Sequence, residues 1–334
     1  MFLTASFLHE RVQILLKCQS YLYDFEKPVS LFICPLCQSP LQPAEDTWRC
    51  DGSLHPKQTV HPFDVARQGY VNLLPVQQKK SKAPGDSQQS IEARKRFLHA
   101  GHYQPLNDLI CQKMVALLSP NEQVNWLDIG CGEGYYTQSI AQLGTEVIDT
   151  LIAADISKPA VVELAKMSKM AAQLWSQQNK ETSTQTTAIY PLVTSAAHLP
   201  LSAHSMTGIS SIFSPILPEA FAEVLADKGY LIIAKPDAGH LATMRDALFD
   251  DVREHDSDKF LTELSPYFTL LDTHRVSTEL TLSAGDLADL MTMTPYAYRA
   301  RNEKKQALLA AVETKLFNTE AKFVVYVLQK TTDQ

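Results

Sequence analysis

The stretch VNWLDIGCGEGYYT, residues 124–137, decides the fold of this 334-residue chain. It predicts an apolar strand over 124–129, a turn with glycine at every second position, and a helix over 135–143. Glycine permits a positive φ and the close approach of a ligand, and the start of the helix offers free N–H groups to an anionic group. The stretch therefore predicts a ligand site at the end of a buried strand.

Strands and helices alternate on both sides of this stretch. Helices are expected at 90–100, 106–118, 159–178 and within 284–317, and strands at 147–153, 189–194, 208–213, 229–234, 268–275 and 323–328. Such alternation predicts an α/β fold with a mostly parallel, doubly wound sheet.

The spacing of the turn narrows the class of ligand. Nicotinamide sites favour G-x-G-x-x-G, whereas this turn has G-x-G-x-G, with Asp128 two positions before Gly130. That pattern resembles motif I of the class I S-adenosylmethionine methyltransferases. Asp155, at the end of the next predicted strand, is placed to accept hydrogen bonds from ribose hydroxyls. NAD enzymes share this feature, so Asp155 supports a nucleoside ligand without separating the two classes.

A second candidate site precedes the α/β region. Cys34 and Cys37 form a C-x-x-C pair, Cys50 follows, and His55 and His61 are both in range as a fourth ligand. Three thiolates and one imidazole form a closed, structural zinc shell, which a segment with little core of its own needs for folding. The alternatives are buried thiols without a metal and a redox-active cysteine pair. The βαβ pattern that usually surrounds a redox-active C-x-x-C pair is missing here.

Charge and composition limit the remaining classes. The chain has 45% hydrophobic residues and a net charge of -7, without an apolar run long enough for a membrane span or a secretory signal, so a cytoplasmic protein is expected. Residues 67–104 hold seven basic and two acidic residues, a net charge of +5 that indicates either nucleic-acid contact or a solvated helix face. These shifts in composition divide the chain into an N-terminal extension (1–30), a zinc-binding module (31–75), a basic connector (76–105) and a catalytic domain (106–334).

Several motifs together resemble the 23S ribosomal RNA guanine-N1 methyltransferases of the RlmA type, from residue 33 to the C-terminus. They are ICPLC (33–37), GYVNLLPVQ (69–77), PGDS (84–87), AGHYQPL (100–106), LDIGCGEGYYT (127–137) and MTPYAYRAR (293–301). The resemblance implies a class I methyltransferase fold with an N-terminal zinc-ribbon-like module, structural Zn²⁺, S-adenosyl-L-methionine as cofactor, and a homodimer.

The resemblance also assigns residues. It places zinc on Cys34, Cys37, Cys50 and, through His61-Pro62-Phe63-Asp64, on His61, although extra residues before His61 keep His55 as an alternative. Family cofactor contacts fall on Tyr103, Gly132, Glu133 and His240. With the glycine turn and the adenine region, the expected cofactor-binding set is Tyr103, Asp128, Gly130, Gly132, Glu133, Gly134, Asp155, Ser195 and His240.

The implied reaction is methylation of N1 of a guanine in a 23S rRNA hairpin, with position 745 favoured over 748. Asp237, His240 and His102 are candidates for removing the N1 proton, and residues around Ser214-Pro215 are expected to hold the base. RNA contacts are expected from the basic connector, through Lys79, Lys80, Lys82, Arg94, Lys95 and Arg96. A small-molecule methyltransferase with a structural zinc lid is the main alternative, followed by an RNA-binding protein without turnover and an NAD-dependent enzyme.

Overall fold

The computed structural model of the chain describes residues 30–79, 81–119, 122–144, 146–178, 187–250, 259–313 and 315–332. The expectations for the extension 1–29 and for Lys80 lie outside these residues. The strands are β1 (Phe32–Ile33), β2 (Pro40–Gln42), β3 (Thr47–Cys50), β4 (Pro62–Asp64), β5 (Val71–Asn72), β6 (Asn125–Ile129), β7 (Thr150–Asp155), β8 (Ile189–Val193), β9 (Met206–Ile212), β10 (Leu225–Pro236), β11 (Phe268–Leu282) and β12 (Phe317–Lys330). The α-helices are α1 (Gln88–His99), α2 (Gln104–Leu117), α3 (Tyr135–Ala141), α4 (Lys158–Gln178), α5 (Pro218–Val224), α6 (Ala242–Leu248), α7 (Lys259–Leu264), α8 (Ala284–Met293), α9 (Tyr296–Arg299) and α10 (Asn302–Ala311).

Eight strands form the main sheet, in the order β11-β12-β10-β9-β6-β7-β8-β5. The pairs from β10 through β9, β6, β7 and β8 to β5 are parallel, and β12 runs antiparallel to β10 and β11. The predicted α/β class with a mostly parallel sheet is therefore confirmed. The chain order reverses between β6 and β9, and open α/β sheets bind ligands at such a reversal.

The central strands are apolar because helices cover both faces of the sheet. Trp126, Leu127 and Ile152 are fully buried, and the Trp126 indole donates to Ser210 Oγ at 3.2 Å. This rigid centre holds the carboxyl ends of β6, β7 and β9 side by side. Among the described residues, every helix is too short or too polar to cross a membrane.

A small antiparallel sheet, β1-β2-β3-β4, precedes the main sheet in the chain and packs against β8, the strand next to the edge strand β5. The rings of Phe32 and Trp48 lie 5.5 and 6.1 Å from the ring of Tyr190 on β8. Further along the chain, β5 joins the main sheet through Val71 and Asn72. The last residues of the predicted zinc-binding module thus form the edge of the large sheet and hold the module against it.

Candidate active site

The glycine turn lies at the reversal of strand order, between the carboxyl end of β6 and α3. A Cβ on Gly130 would lie 2.3 Å from Ser214 Cβ, and one on Gly134 would lie 2.3 Å from Leu164 Cδ1. Around Gly132 the nearest atom is instead Arg94 Nη1, at 3.5 Å. Gly130 and Gly134 are thus required by packing. Gly132 is buried too, but only the Arg94 side chain lies within 4 Å of its Cβ position, so we call this loosely packed side the open side of the turn.

Asp128 holds the strands beneath this turn. Its carboxylate accepts hydrogen bonds from Thr137 Oγ1 at 2.5 Å and from Ser210 Oγ at 2.7 Å, and it is buried. Burial raises the pKa of Asp128 to about 6, although both hydroxyl donors lower it. These contacts join β6, α3 and β9, so they favour a positioning role for Asp128 over direct contact with a cofactor.

Two carboxylates border the open side of the turn. Asp155, at the end of β7, accepts hydrogen bonds from Gly132 N at 3.0 Å and Ser157 N at 2.7 Å. Glu133 is 1% exposed, and its Oε1 has no hydrogen-bond partner among the described residues. Burial raises the pKa of Glu133 to about 7, and the nearby Arg94 lowers it in part. A buried carboxylate oxygen without a partner is costly, so it indicates a ligand with a donor group.

Aromatic rings form the wall next to the turn. The Tyr103 ring lies 4.7 Å from that of Phe323 and 6.4 Å from those of Phe213 and His240. Tyr103 is 3% exposed, and the buried Tyr136 hydroxyl has no partner among the described residues. An open Gly132, two carboxylates, a free phenol and apolar rings together fit S-adenosylmethionine, which carries a ribose, an amino-acid group and a flat base.

Phe213 is the feature of this wall that the sequence did not indicate. It follows β9 with a φ of 55°, a strained conformation for a bulky residue, and its side chain is 43% exposed. The next residue, Ser214, which was expected to hold the base, donates instead to Ile129 O at 3.0 Å and contacts Ser211 Oγ at 2.7 Å. Ser214 thus fixes the loop to β6, and Phe213 is the side chain that the loop presents.

The proton-acceptor candidates occupy different environments. Burial lowers the pKa of His240 to about 4, and its Nδ1 lies 2.8 Å from the Lys322 carbonyl oxygen. The His102 ring lies 4.4 Å from that of Phe97, and its Nε2 is 3.4 Å from Asp286. Asp237 accepts a 3.0 Å hydrogen bond from Arg275 Nε, and both line a cavity of about 230 Å³ that reaches Phe323. Of the three, Asp237 is the one that lines a cavity and is oriented there by an arginine side chain.

Ser195 lies after β8, where the adenine region was expected. Its hydroxyl accepts a hydrogen bond from Ala197 N at 3.3 Å, which makes a local turn. A contact between Ser195 and a cofactor stays a prediction.

The basic residues of α1 are paired within the chain. Arg94 binds Asp86 at 2.6 Å, Lys95 binds Glu163 at 3.3 Å, and Arg96 binds Asp289 at 2.6 Å. RNA contact by these residues stays a prediction, but their charges already have acidic partners. Of the connector lysines, Lys79 is half-buried and Lys82 is exposed.

The predicted zinc ligands come together in the small sheet. Within the described ranges, the residues grouped to hold a metal are Cys34, Cys37, Cys50 and His61, whose ligand atoms all lie within 4.8 Å of one another. Cys34 and Cys50 Sγ are each 3.6 Å from His61 Nδ1, and Cys37 Sγ is 3.8 Å from Cys50 Sγ. A tetrahedral zinc site has edges of about 3.5–3.8 Å, from Zn–S bonds of about 2.3 Å and Zn–N bonds of about 2.0 Å. The four residues therefore fit a closed structural zinc site.

His55 stands beside this group without joining it. Its Nδ1 accepts hydrogen bonds from Lys57 N and Thr59 N, both at 3.3 Å, and its ring packs edge-on against His61 at 5.3 Å. Strand pairing decides between the histidines, because Cys50 N donates to His61 O at 3.2 Å and brings His61 next to Cys50.

Comparison with known proteins confirms the resemblance seen in the motifs. Residues 32–82 match the family model described as "RlmA, N-terminal", a zinc ribbon. The chain is 29% identical over 270 residues to the 23S rRNA (guanine(748)-N(1))-methyltransferase of Streptomyces fradiae, covering 79% of this chain and 85% of the relative. It is 28% identical over 287 residues to the "Putative 23S rRNA (guanine-N(1)-)-methyltransferase YxjB" of Bacillus subtilis (strain 168), covering 84% and 91%.

Solved structures similar to the chain include the YcgJ protein from Bacillus subtilis, with 12% identity, a TM-score of 0.43, and coverage of 67% of this chain and 98% of that one. Another is the Haemonchus contortus phosphoethanolamine N-methyltransferase 2 in complex with S-adenosylhomocysteine, with 11% identity, a TM-score of 0.41, and coverage of 74% and 58%.

Proposed function

We propose that this chain transfers a methyl group from S-adenosylmethionine to N1 of a guanine in a hairpin of 23S rRNA. The observation that carries the proposal is the glycine turn at the reversal of strand order between β6 and β9. The unpartnered Oε1 of Glu133 lies on one side of this turn, and the exposed Phe213 ring lies on the other. Two relatives that carry 23S rRNA guanine-N1 methyltransferase in their names support the class of substrate. The motifs favour position 745, while one relative is named for position 748.

The target base needs an unpaired position, because N1 of guanine is occupied in duplex RNA. Enzymes that modify such atoms extrude the base and hold it against aromatic side chains. Phe213 has the required placement, since its loop is fixed to β6 by Ser214 and its ring is exposed beside the Tyr103–Phe323 wall. We assign Phe213 to stacking on the extruded guanine.

The N1 proton has to leave as the N1–methyl bond forms. Asp237 is assigned as its acceptor because its carboxylate lines a cavity that reaches Phe323, where a 3.0 Å hydrogen bond from Arg275 Nε orients it. His240 is buried, and its Nδ1 is already in contact with the backbone of Lys322. When bound, S-adenosylmethionine supplies the activated methyl group, and this chain aligns base and cofactor. If Asp237→Asn left the methylation rate unchanged, this assignment would be wrong.

RNA is expected to approach over the segment that carries MTPYAYRAR. Tyr298 on α9 is 77% exposed, and Arg299 and Arg301 beside it are exposed too. The segment lies near the pocket, because Arg94 Nη2 donates to Met293 O at 3.4 Å. An exposed aromatic ring followed closely by two exposed arginines is suited to an unstacked base and its phosphates.

The function is tested by incubating the purified protein with methyl-labelled S-adenosylmethionine and unmodified 23S rRNA, and separately with small-molecule extracts without RNA. Label in RNA, with transfer that falls as salt rises, is expected. Label in a small molecule and none in RNA would contradict the proposal and favour the small-molecule alternative. A cytoplasmic location is part of this proposal, because 23S rRNA is the proposed substrate. A homodimer is proposed from the family resemblance, and sedimentation tests it.

A further inference from the structure

Arg94 directs its guanidinium onto the glycine turn. Its Nη1 lies 3.5 Å from the position that a Cβ on Gly132 would take, on the open side of the turn. Its Nη2 is held by Asp86 at 2.6 Å and donates to the Met293 carbonyl at 3.4 Å. The side chain is only 25% exposed, whereas that of Arg96 on the outer face of the same helix is 61% exposed. Arg94 therefore belongs to the pocket and not to the outer surface.

The charged groups around Arg94 complement the ammonium and carboxylate groups of an amino acid. Asp86, Glu133 and Asp155 all act electrostatically on the guanidinium and raise the Arg94 pKa despite burial. Asp86 is already paired, and both oxygens of Asp155 accept backbone hydrogen bonds. Glu133 Oε1 remains without a hydrogen-bond partner among the described residues, whereas the contacts of Arg94 with Asp86 and Met293 are made by Nη2. A carboxylate oxygen without a hydrogen-bond donor and a guanidinium nitrogen that lies over the same turn complement an ammonium and a carboxylate of one ligand.

We propose that Arg94 binds the α-carboxylate of the methionine portion of S-adenosylmethionine through Nη1, opposite Glu133, which faces the α-ammonium. This inference rests on the proposed function. Arg94 Nη1 lies over Gly132 and Glu133 follows Gly132 in the turn, so both charged groups lie at the turn, next to Asp155 at the expected ribose end of the site. A planar guanidinium suits a carboxylate because it offers paired donors.

The connector holds Arg94 in this position. Ser157 Oγ donates to Asp86 O at 2.8 Å, and a Cβ on Gly85 would lie 2.6 Å from Ser157 Cβ. Because Ser157 lies two residues after Asp155 and its N–H donates to the Asp155 carboxylate at 2.7 Å, the connector is fixed to the expected ribose end of the site. Asp86 then orients the guanidinium from one side while Nη1 stays available to the ligand.

The test is calorimetric titration of the full chain with two ligands that differ in one group, S-adenosylhomocysteine and its decarboxylated form. Wild-type protein is expected to bind S-adenosylhomocysteine more tightly. Arg94→Ala is expected to lose about 10- to 100-fold in affinity for S-adenosylhomocysteine, as for a charge-assisted hydrogen bond, and less than about threefold for the decarboxylated form. Arg94→Lys is expected to lose an intermediate amount.

Arg96→Ala is the matched control, because it breaks a surface ion pair of the same helix and should leave both affinities unchanged. Equal losses for both ligands in Arg94→Ala would show a structural role and overturn the inference, as would no loss for either. If Arg94→Ala fails to fold, the comparison within wild-type decides, since equal affinity for both ligands excludes a carboxylate-binding group. Failure of wild-type to bind S-adenosylhomocysteine at all would instead overturn the proposed function itself.

Discussion

Gly130 lies directly against Ser214, which fixes the cofactor turn to the loop that presents Phe213. A Cβ on Gly130 would stand 2.3 Å from Ser214 Cβ, and Ser214 Oγ donates to the Ile129 carbonyl at 3.0 Å. The cofactor side and the substrate side of the pocket are therefore one rigid unit. Methyl transfer depends on such alignment, because small displacements of the reacting groups cost large factors in rate.

Gly130→Ala should consequently destabilise the protein by about 2–4 kcal/mol. The new Cβ would collide with Ser214, and alanine is also strained at the φ of +71° that Gly130 adopts. Thermal unfolding measures the loss. Gly69→Ala is the matched control, because Gly69 has a φ of +101° and nothing within 4 Å of its Cβ position, so it reports the cost of the backbone alone. Equal losses of stability in the two variants would mean that the contact with Ser214 adds nothing to the destabilisation.

Phe213→Ala should lower kcat/KM on RNA by about 10- to 100-fold, because base stacking on an aromatic ring is worth about 1–3 kcal/mol. Phe213→Tyr keeps the ring and should retain most of the activity. Affinity for S-adenosylhomocysteine should stay unchanged in both variants, which separates stacking from disruption of the pocket. Full activity of Phe213→Ala would remove Phe213 from the substrate site.

Glu133→Gln should stabilise the cofactor-free protein at pH 8 by up to about 3 kcal/mol, because burial raises the pKa of Glu133 to about 7. Between its ordinary pKa and this value, the folded state binds more protons than the unfolded state. The free energy of unfolding therefore falls as pH rises from about 4.5 to about 7. The raised pKa of Asp128 contributes to the same decrease in the free energy of unfolding, so Glu133→Gln should make the decrease smaller without removing it.

Glu163→Gln supplies the control for this experiment, since it acts with the opposite sign. Burial raises the pKa of Glu163, but hydrogen bonds from Lys166 and Lys95 outweigh it and lower the pKa overall. Its ionised form thus stabilises the folded state above its ordinary pKa and loses that effect in acid. If the pH dependence of the free energy of unfolding were the same in Glu133→Gln as in wild-type protein, the burial of Glu133 with an unpartnered Oε1 would be contradicted.

Cys37→Ser should reduce the bound zinc, which wild-type protein is expected to hold at about one ion per chain. Because zinc binding supplies folding energy to such small sheets, the variant and chelator-treated protein should both unfold at lower temperature. Elemental analysis and thermal unfolding measure these changes. Cys111→Ser, on α2 and outside the metal group, should keep its zinc. Zinc retained in Cys37→Ser at the wild-type level would argue against Cys37 as a ligand.

Local sequence patterns predicted the centre of the fold well. The apolar runs of β6, β7 and β9 and the glycine turn are short-range signals, and each element appears within a few residues of its expected place. The second half of β11 was missed because residues 276–282 are largely polar; a continuous backbone ladder with β12 holds them instead.

Long-range partners could not be read from the sequence. Three consecutive basic residues resemble a nucleic-acid surface, yet Arg96 meets Asp289, 193 positions away, and Lys95 meets Glu163, 68 positions away. The choice of His61 over His55 depends on the pairing of β3 with β4. The positive φ of Phe213 cannot be predicted from its residue type, and a base contact at Ser214 and Pro215 stays a prediction.

Mapping of reverse-transcription stops tests the central claim most directly. Unmodified 23S rRNA from cells that lack the gene would be incubated with the protein and S-adenosylmethionine and then copied, because a methyl group on guanine N1 blocks base pairing. The proposed function predicts one new stop in the hairpin, at position 745, and a stop at 748 would keep the reaction but move the nucleotide. Methyl label in RNA without a stop, or no label in RNA despite cofactor binding, would contradict guanine-N1 methylation.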